Sequence, residues 1–169
     1  YADITTGEFM ASQLSGKDLL RQVIGELDRL RPAEVVTPVP QALEDIRRLG
    51  SPLNGTMVTE WQQWPFQFDT ARQTLLDHLG VASLDGFGLA GLPLAVQAAG
   101  GLLHYLGESQ RGQLRQLASL RTYSVEQFMT LDASTRRNLE LTETLRRGAV
   151  QGSLLGVLDA TVTSMGGRL

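Results

Sequence analysis

An α/β unit followed by an all-α segment is the fold class that the sequence predicts, and two observations carry it. Strand-like and helix-like stretches alternate through the first 90 residues, as a layered α/β arrangement with parallel pairs requires. Beyond residue 90 helical periodicity continues, with no further β-α-β unit. At 169 residues and ~150 residues per domain, the chain has room for one domain and part of another. Hydrophobic residues make up 42% and charged residues 20%, which suits a buried core and excludes disorder over the bulk of the chain.

The elements follow in order. Ile4 to Leu14 reads as two strands around the turn Thr5-Thr6-Gly7, so these strands are antiparallel. Ser15 caps a helix over 16–30, in which Leu19, Leu20, Val23, Ile24, Leu27 and Leu30 make one apolar face; Pro32 ends it. Glu34 to Thr37 is a strand closed by Pro38. Gln41 to Leu49 is a short helix stopped by Gly50. A strand covers 57–62. Asp69 caps a helix over 70–79 with Ala71, Leu75, Leu76 and Leu79 on its buried side, and Gly80 terminates it. The strands near 3–14, 34–37 and 57–62 are expected to share one mixed sheet with helices on its faces. Ser83 to Gly91 is a glycine-rich connection, and its Gly86, Gly88 and Gly91 suit a flexible interdomain link. A wide apolar face (Leu94, Ala95, Ala98, Ala99, Leu102, Leu103, Leu106) predicts a helix over 93–109. An arginine-rich link, a short extended piece at 128–131, a helix capped by Asp132 and carrying Leu139, Leu141 and Leu145, and a short helix over 153–158 complete the pass. Gly148 and Gly152 bracket a change of chain direction.

Charge divides unevenly. Residues 1–110 hold 7 basic and 13 acidic side chains, net −6, whereas residues 111–148 hold 7 arginines and 4 acids, net +3. Such a shift marks a boundary between two units. Cysteine is absent and the only histidines are His78 and His104, so disulfides, thiol catalysis and histidine- or cysteine-rich metal sites are excluded. No apolar run reaches the ~20 residues of a membrane helix, and no signal peptide opens the chain, so the cytoplasm is the default compartment. The chain begins at Tyr1 without a methionine and stops at Met165-Gly166-Gly167-Arg168-Leu169 in mid-pattern, as a segment of a larger protein would.

Motifs for chemistry are few. The only Gly-Lys pair, Gly16-Lys17, lacks the Ser or Thr and the first glycine of a phosphate loop. Gly86-Phe87-Gly88 follows a loop rather than a strand, which favours a flexible connection over a dinucleotide fingerprint. Asp3 lies on the first strand, where acids can hold magnesium for phosphoryl transfer, with Glu60 and Asp69 as candidate partners; a solvated strand-end acid is the commoner arrangement. His78 and His104 read as partly exposed packing residues. Trp61, Trp64, Phe66 and Phe68 could stack bases, but no basic residue lies between Arg48 and Arg72 to supply the phosphate attraction, which favours packing. Arg111, Arg115, Arg121, Arg136-Arg137 and Arg146-Arg147 suit either phosphate contacts or a salt-bridged helical surface.

Five strings in order carry a resemblance. Asp3-Ile4-Thr5-Thr6-Gly7-Glu8-Phe9 resembles the D-I-S-T-G-E-F strand-turn-strand of the MutS family of bacterial DNA mismatch repair proteins. Gly80 to Gly88 resembles that family's link out of its connector domain, and Ala98 to Leu106 the helix after it. Asp132 to Leu141, and Gly152 through Leu169, resemble the start of its core domain. The tract from Lys17 to Thr59 matches only in pattern.

The resemblance implies a connector domain over 1–88 with a ribonuclease H-like mixed sheet and flanking helices, followed over 89–169 by the N-terminal part of a helical core domain. It implies a module that relays mismatch- and ATP-dependent state and docks MutL, with the helix opened by Asp69 presenting Arg72 and Gln73. No cofactor is expected in this segment. The parent is implied to bind mismatched DNA, ATP and magnesium through other domains, to be a homodimer without a membrane partner, and to work in the cytoplasm at the nucleoid. A metal-dependent nuclease on the same fold is the alternative.

Overall fold

The chain opens with a hairpin whose turn is built by one carboxylate. Strand β1 (Ala2–Asp3) pairs antiparallel with β2 (Glu8–Ala11), Ala2 opposite Phe9 and Asp3 opposite Glu8. Between them Asp3 Oδ1 accepts hydrogen bonds from the Thr5 and Thr6 amides at 2.7 and 3.3 Å, the local side-chain-to-backbone bonding that favours Asp in turns. In this computed structural model the described residues are 1–41, 44, 46, 55–109, 113–125 and 133–163.

Helix α1 (Leu19–Leu30) follows Asp18 rather than Ser15, and no side chain caps its start. It ends on Arg31 in the left-handed region, φ 42°, whose N–H donates to the Leu27 carbonyl. Strands β3 (Glu34–Thr37) and β4 (Met57–Glu60) pair in parallel, with Val35 opposite Val58. Of the expected helix over 41–49, residues 41, 44 and 46 are described and are helical, and the others lie outside the described residues. Ile46 is described and buried, with Val23, Ile24, Leu27, Val35 and Val58 packed around it.

The single mixed sheet expected from the strand order is instead two sheets. One has the order β1-β2-β5, where β5 (Arg121–Thr122) runs parallel to β2; the other is β3-β4. A strand has two edges. Both edges of β2 are taken, by β1 and β5, so β3 has no place beside it and finds its partner in β4. Strand β5 also corrects the expectation of helices alone after residue 89.

A 3₁₀ turn (Trp64–Phe66) leads into helix α2 (Phe68–Leu79), which starts after Gln67. Asp69 is in the first turn and not at the cap, a position where its charge still meets the positive end of the helix dipole. Gly80 ends the helix at φ 66°. A second 3₁₀ turn (Asp85–Phe87) precedes helix α3 (Pro93–Ser109). The Gln13 side-chain oxygen accepts from the Leu94 amide at 3.0 Å, satisfying one of the orphan donors at a helix start.

Helices α2 and α3 bury Ala71, Leu75 and Leu76 against Ala95, Val96, Ala99 and Leu103, and Phe9, Leu117 and Leu120 close the same core. Backbones meet at one point. A Cβ on Gly100 would stand 2.5 Å from the Ala71 Cβ and closer still to its Cα and carbonyl oxygen, and a Cβ on Gly101 would strike the Phe66 ring.

The chain divides into two compact units, Tyr1–Gln127 and Phe128–Leu169. The change of character at residues 88–91 falls inside the first, because α3 packs into the same core as α2. In the second unit α4 (Ala133–Asn138) stops before Leu139, Leu141 and Leu145, because Glu140 takes the left-handed region at φ 48°. The Asp132 cap and the 128–131 piece lie outside the described residues. Helix α5 (Leu154–Leu158) is capped by Ser153, which is buried and whose Oγ accepts from the Gly156 amide at 3.1 Å and donates to the Val150 carbonyl at 2.7 Å. The Leu154 and Leu155 amides donate to the carbonyls of Glu140 and Leu141.

Adding one methyl group at the crossing should be costly. Gly100→Ala is expected to destabilise the chain by about 2–3 kcal/mol, since backbone and not a flexible side chain must give way. Gly107→Ala on the same helix would meet only Leu114 Cδ1 at 3.5 Å and should be neutral or stabilising by up to ~1 kcal/mol. Urea unfolding of the two variants beside the parent sequence checks both.

Candidate functional site

Arg72 and Gln73 are both exposed on the first turns of α2, but for different reasons. At 3.6 residues per turn Gln73 points away from Ala71 and Leu75, and its Nε2 donates to Asp77 Oδ1 at 2.7 Å along the outer face. Arg72 shares the helix sector of Phe68, Leu76 and Leu79. Leu76 is buried there, yet Phe68 is 40% exposed, because the core stops one turn short of the helix start. An open groove of about 350 Å³ takes its place, with Leu84, Leu89 and Val96 at its base and Arg72, Phe68 and Asp85 among its walls. Asp85 is held by Ser83, whose Oγ donates to Asp85 Oδ2 at 2.8 Å and accepts from the Asp85 amide at 3.2 Å. Arg72 forms no ion pair among the described residues. The arrangement offers a free guanidinium beside an apolar base, a combination suited to an apolar side chain flanked by a carboxylate.

Gly86, Gly88 and Gly91 fall between α2 and α3 inside the first unit, and Gly91 lines the groove. Gly88 sits at φ 75°, and a Cβ there would collide with the Thr122 hydroxyl of β5. This glycine is a point of close packing between the connection and the sheet.

The candidate acids are not brought together as a metal site. The Asp3 carboxylate is engaged by the turn: the Thr5 amide foremost, with the Thr6 amide and the two threonine side chains, holds it below the ordinary value of 3.8 against the opposing effect of burial. Among the described residues no group of three or more His, Asp or Glu is placed to hold a metal ion. The Trp61 ring meets Tyr105 edge-on with centroids 5.0 Å apart, and Trp64 meets His104 at 4.6 Å. Tyr105 donates to Glu34 Oε1 at 2.7 Å, and the Thr59 hydroxyl bonds the same oxygen. The aromatic cluster thus fastens the β3-β4 sheet to α3. His78 Nε2 lies 2.9 Å from the Leu117 carbonyl. Arg115, Arg121, Arg137, Arg146 and Arg147 are exposed, while Arg111 and the Arg136 side chain lie outside the described residues.

One cluster escapes sequence reasoning. Arg29 grips Glu26 as a fork, Nε to the two carboxylate oxygens at 3.1 and 3.2 Å and Nη2 to Oε2 at 2.7 Å. The Tyr123 hydroxyl donates to the same Oε2 at 2.9 Å. Burial alone would raise the Glu26 carboxyl, but the Arg29 and Tyr123 hydrogen bonds outweigh it and keep it below its ordinary 4.5. Burial and the bond to Glu26 raise the Tyr123 hydroxyl. The i,i+3 pair is legible on α1, but its partner lies 97 residues away.

A family model described as MutS domain II matches residues 1–118, and one described as MutS domain III matches residues 134–169. Proteins named DNA mismatch repair protein MutS align over the whole chain: 45% identity for those of Synechococcus elongatus and Thermosynechococcus vestitus, each covering 100% of this chain and 20% of the relative. That of Symbiobacterium thermophilum is 42% identical over 99% of this chain and 19% of its own length. The chain therefore spans about a fifth of the length of the curated relatives it matches.

The structural role of Asp3 is testable by pH. Its folded-state pKa lies below the unfolded value, so its stabilisation is complete above about 3.8 and is lost as pH falls through the lowered value. Asp3→Asn keeps the Oδ1 acceptor and should leave stability at pH 7 within ~0.5 kcal/mol of the parent sequence, while removing part of the loss as pH falls below about 3.8. Asp3→Ala should cost about 0.5–1 kcal/mol at pH 7, the solvent-exposed bonds being discounted. Thermal melts at pH 7 and below about 3.8 distinguish the two.

Proposed function

The chain belongs to the MutS family of DNA mismatch repair proteins, spanning its domains II and III, and on that footing we propose that it relays state between the mismatch-reading and ATP-hydrolysing parts of a larger protein and docks MutL. The observation that carries the docking is the exposed start of α2, where Arg72 lines an open groove and Gln73 is exposed on the outer face next to it, while Ala71, Leu75 and Leu76 hold the same helix to the core. A partner can bind there without disturbing what keeps α2 in place.

In this reading residues 1 to about 118 act as the connector and residues from about 134 act as the start of the core domain, the two stretches that the family models match. Helix α3 goes with the connector, since it shares the α2 core. A ribonuclease H-like fold for the connector is supported by the opening hairpin and the mixed strand directions. Mismatched DNA, ATP and magnesium are bound by the parent outside this segment, the parent works as a homodimer, and the names of the relatives suit a bacterial cytoplasm and nucleoid. No described helix is long and apolar enough to cross a membrane. The nuclease alternative gains no support from the placement of Asp3, Glu60 and Asp69.

The test uses the parent protein on surface-immobilised mismatch DNA with ATP present. Arg72→Glu combined with Gln73→Ala should leave folding, mismatch binding and ATP hydrolysis intact. MutL capture should fall by tenfold or more, on the order of 1.4 kcal/mol. Unchanged capture by the folded double variant would place the docking surface elsewhere.

A further inference from the structure

Strand β5 holds only two residues, and only two residue pairs, Met10 with Arg121 and Ala11 with Thr122, join it to β2. So short a ladder is marginal by itself. The next residue, Tyr123, continues the pairing through its amide, which donates to the Ala11 carbonyl at 3.1 Å. It is also where the first compact unit nears its end at Gln127.

The Tyr123 side chain is held on three sides. Its hydroxyl donates to Glu26 Oε2 at 2.9 Å. The Arg29 guanidinium lies 5.3 Å from its ring centroid, within the range of a cation–π contact. The Tyr1 ring meets it edge-on at 6.0 Å, and Tyr1 in turn donates its hydroxyl to Glu8 Oε1 at 3.0 Å. The Arg29 guanidinium serves both partners, because its fork holds Glu26 in the rotamer that accepts from Tyr123. Such a planar donor can be bidentate at its edge and stacked at its face at once.

We propose that the Glu26–Arg29 pair of α1 is a clasp for Tyr123 that holds β5 on β2 within the first unit, and that opening it frees β5. The clasp lies wholly in the first unit and is independent of the docking surface on α2. Its parts are polar and at the surface of the core, so it opens without unfolding the α2–α3 contact. Local opening of this kind draws on the low-stability end of a structure.

Amide hydrogen exchange and trypsin cleavage of the 169-residue chain test it. Tyr123→Phe removes the hydroxyl and keeps the ring; Glu26→Gln removes the charge that organises Arg29. In both variants the amides of residues 121–125 should exchange about tenfold faster, and cleavage after Arg121 should quicken by a similar factor. The amides of Leu75, Leu76 and Leu103 should keep their parent rates. Arg29→Lys, which keeps the charge and loses the fork, should fall between. Exchange at 121–125 within about twofold of the parent sequence in both folded variants would overturn the clasp. Equal quickening of the core amides would also overturn it, because the cluster would then be holding the whole unit and not β5.

Discussion

The contact of Ala71 with Gly100 is the constraint on which the first unit depends. Two helices approach to backbone distance only where both surfaces are small, and here one partner has no side chain. That approach brings Leu75 and Leu76 of α2 against Ala95, Ala99 and Leu103 of α3. The rest of the main core is arranged around the pair. Phe9 and Ala11 of β2 cover one side of it, and Leu117 and Leu120 close it after the chain returns. Burial of such side chains contributes roughly 1.5–3 kcal/mol each, so a loosened crossing weakens many contacts together.

The groove lies on another side of the same helix. The sector of α2 that buries Leu76 is uncovered one turn earlier, and Phe68 and Arg72 emerge on it beside Leu84, Leu89 and Val96. Arg72 is therefore a charged residue in a sector that reads as core, and it is tolerated because the core ends before it. A helical-period argument predicts its exposure from the positions of Ala71, Leu75 and Leu76, yet the operative cause is the end of the packing. For Gln73 the period argument and the structure give the same cause.

Local chemistry was legible in the sequence where the elements are long or their turns specific. The apolar stripes of α1, α2 and α3, apart from Leu19, Leu20 and Leu94, which are exposed at the helix starts, and the stop at Gly80 depend on neighbours a few residues away. So does the turn after Asp3, although its side-chain bonds to Thr5 and Thr6 add a reason that the Thr-Thr-Gly string alone does not supply. Strand β5 was not legible, since two residues have no periodicity and their partner lies about 110 residues earlier. The division into two sheets was not legible either, because strand composition does not say which edges are already occupied. Among the site residues, Gly88 reads as a flexible link, while its nearest neighbour across the fold is Thr122. A glycine required for close packing and one required for flexibility look alike in sequence.

Helix α1 presents a last problem, because it buries no residue of its own and yet must be held. Its two sides solve it differently. Val23, Ile24 and Leu27 pack with Ile46 against Val35 and Val58 of the β3-β4 sheet. Glu26 and Arg29 project on the other side of the helix and meet Tyr1 and Tyr123, at the β1-β2-β5 sheet. Helix α1 is thus the bridge between two sheets that share no strand. On the far side of the β3-β4 sheet the tie is again polar and aromatic, with Tyr105 of α3 bonded to Glu34 and edge-on to Trp61. The second sheet is therefore fastened through apolar contact to one helix and through hydrogen bonds to another, and not through the main core. A weakly cored element fastened at its margins can shift as a body while α2 and α3 stay locked, because breaking a marginal tie costs far less than opening a packed crossing.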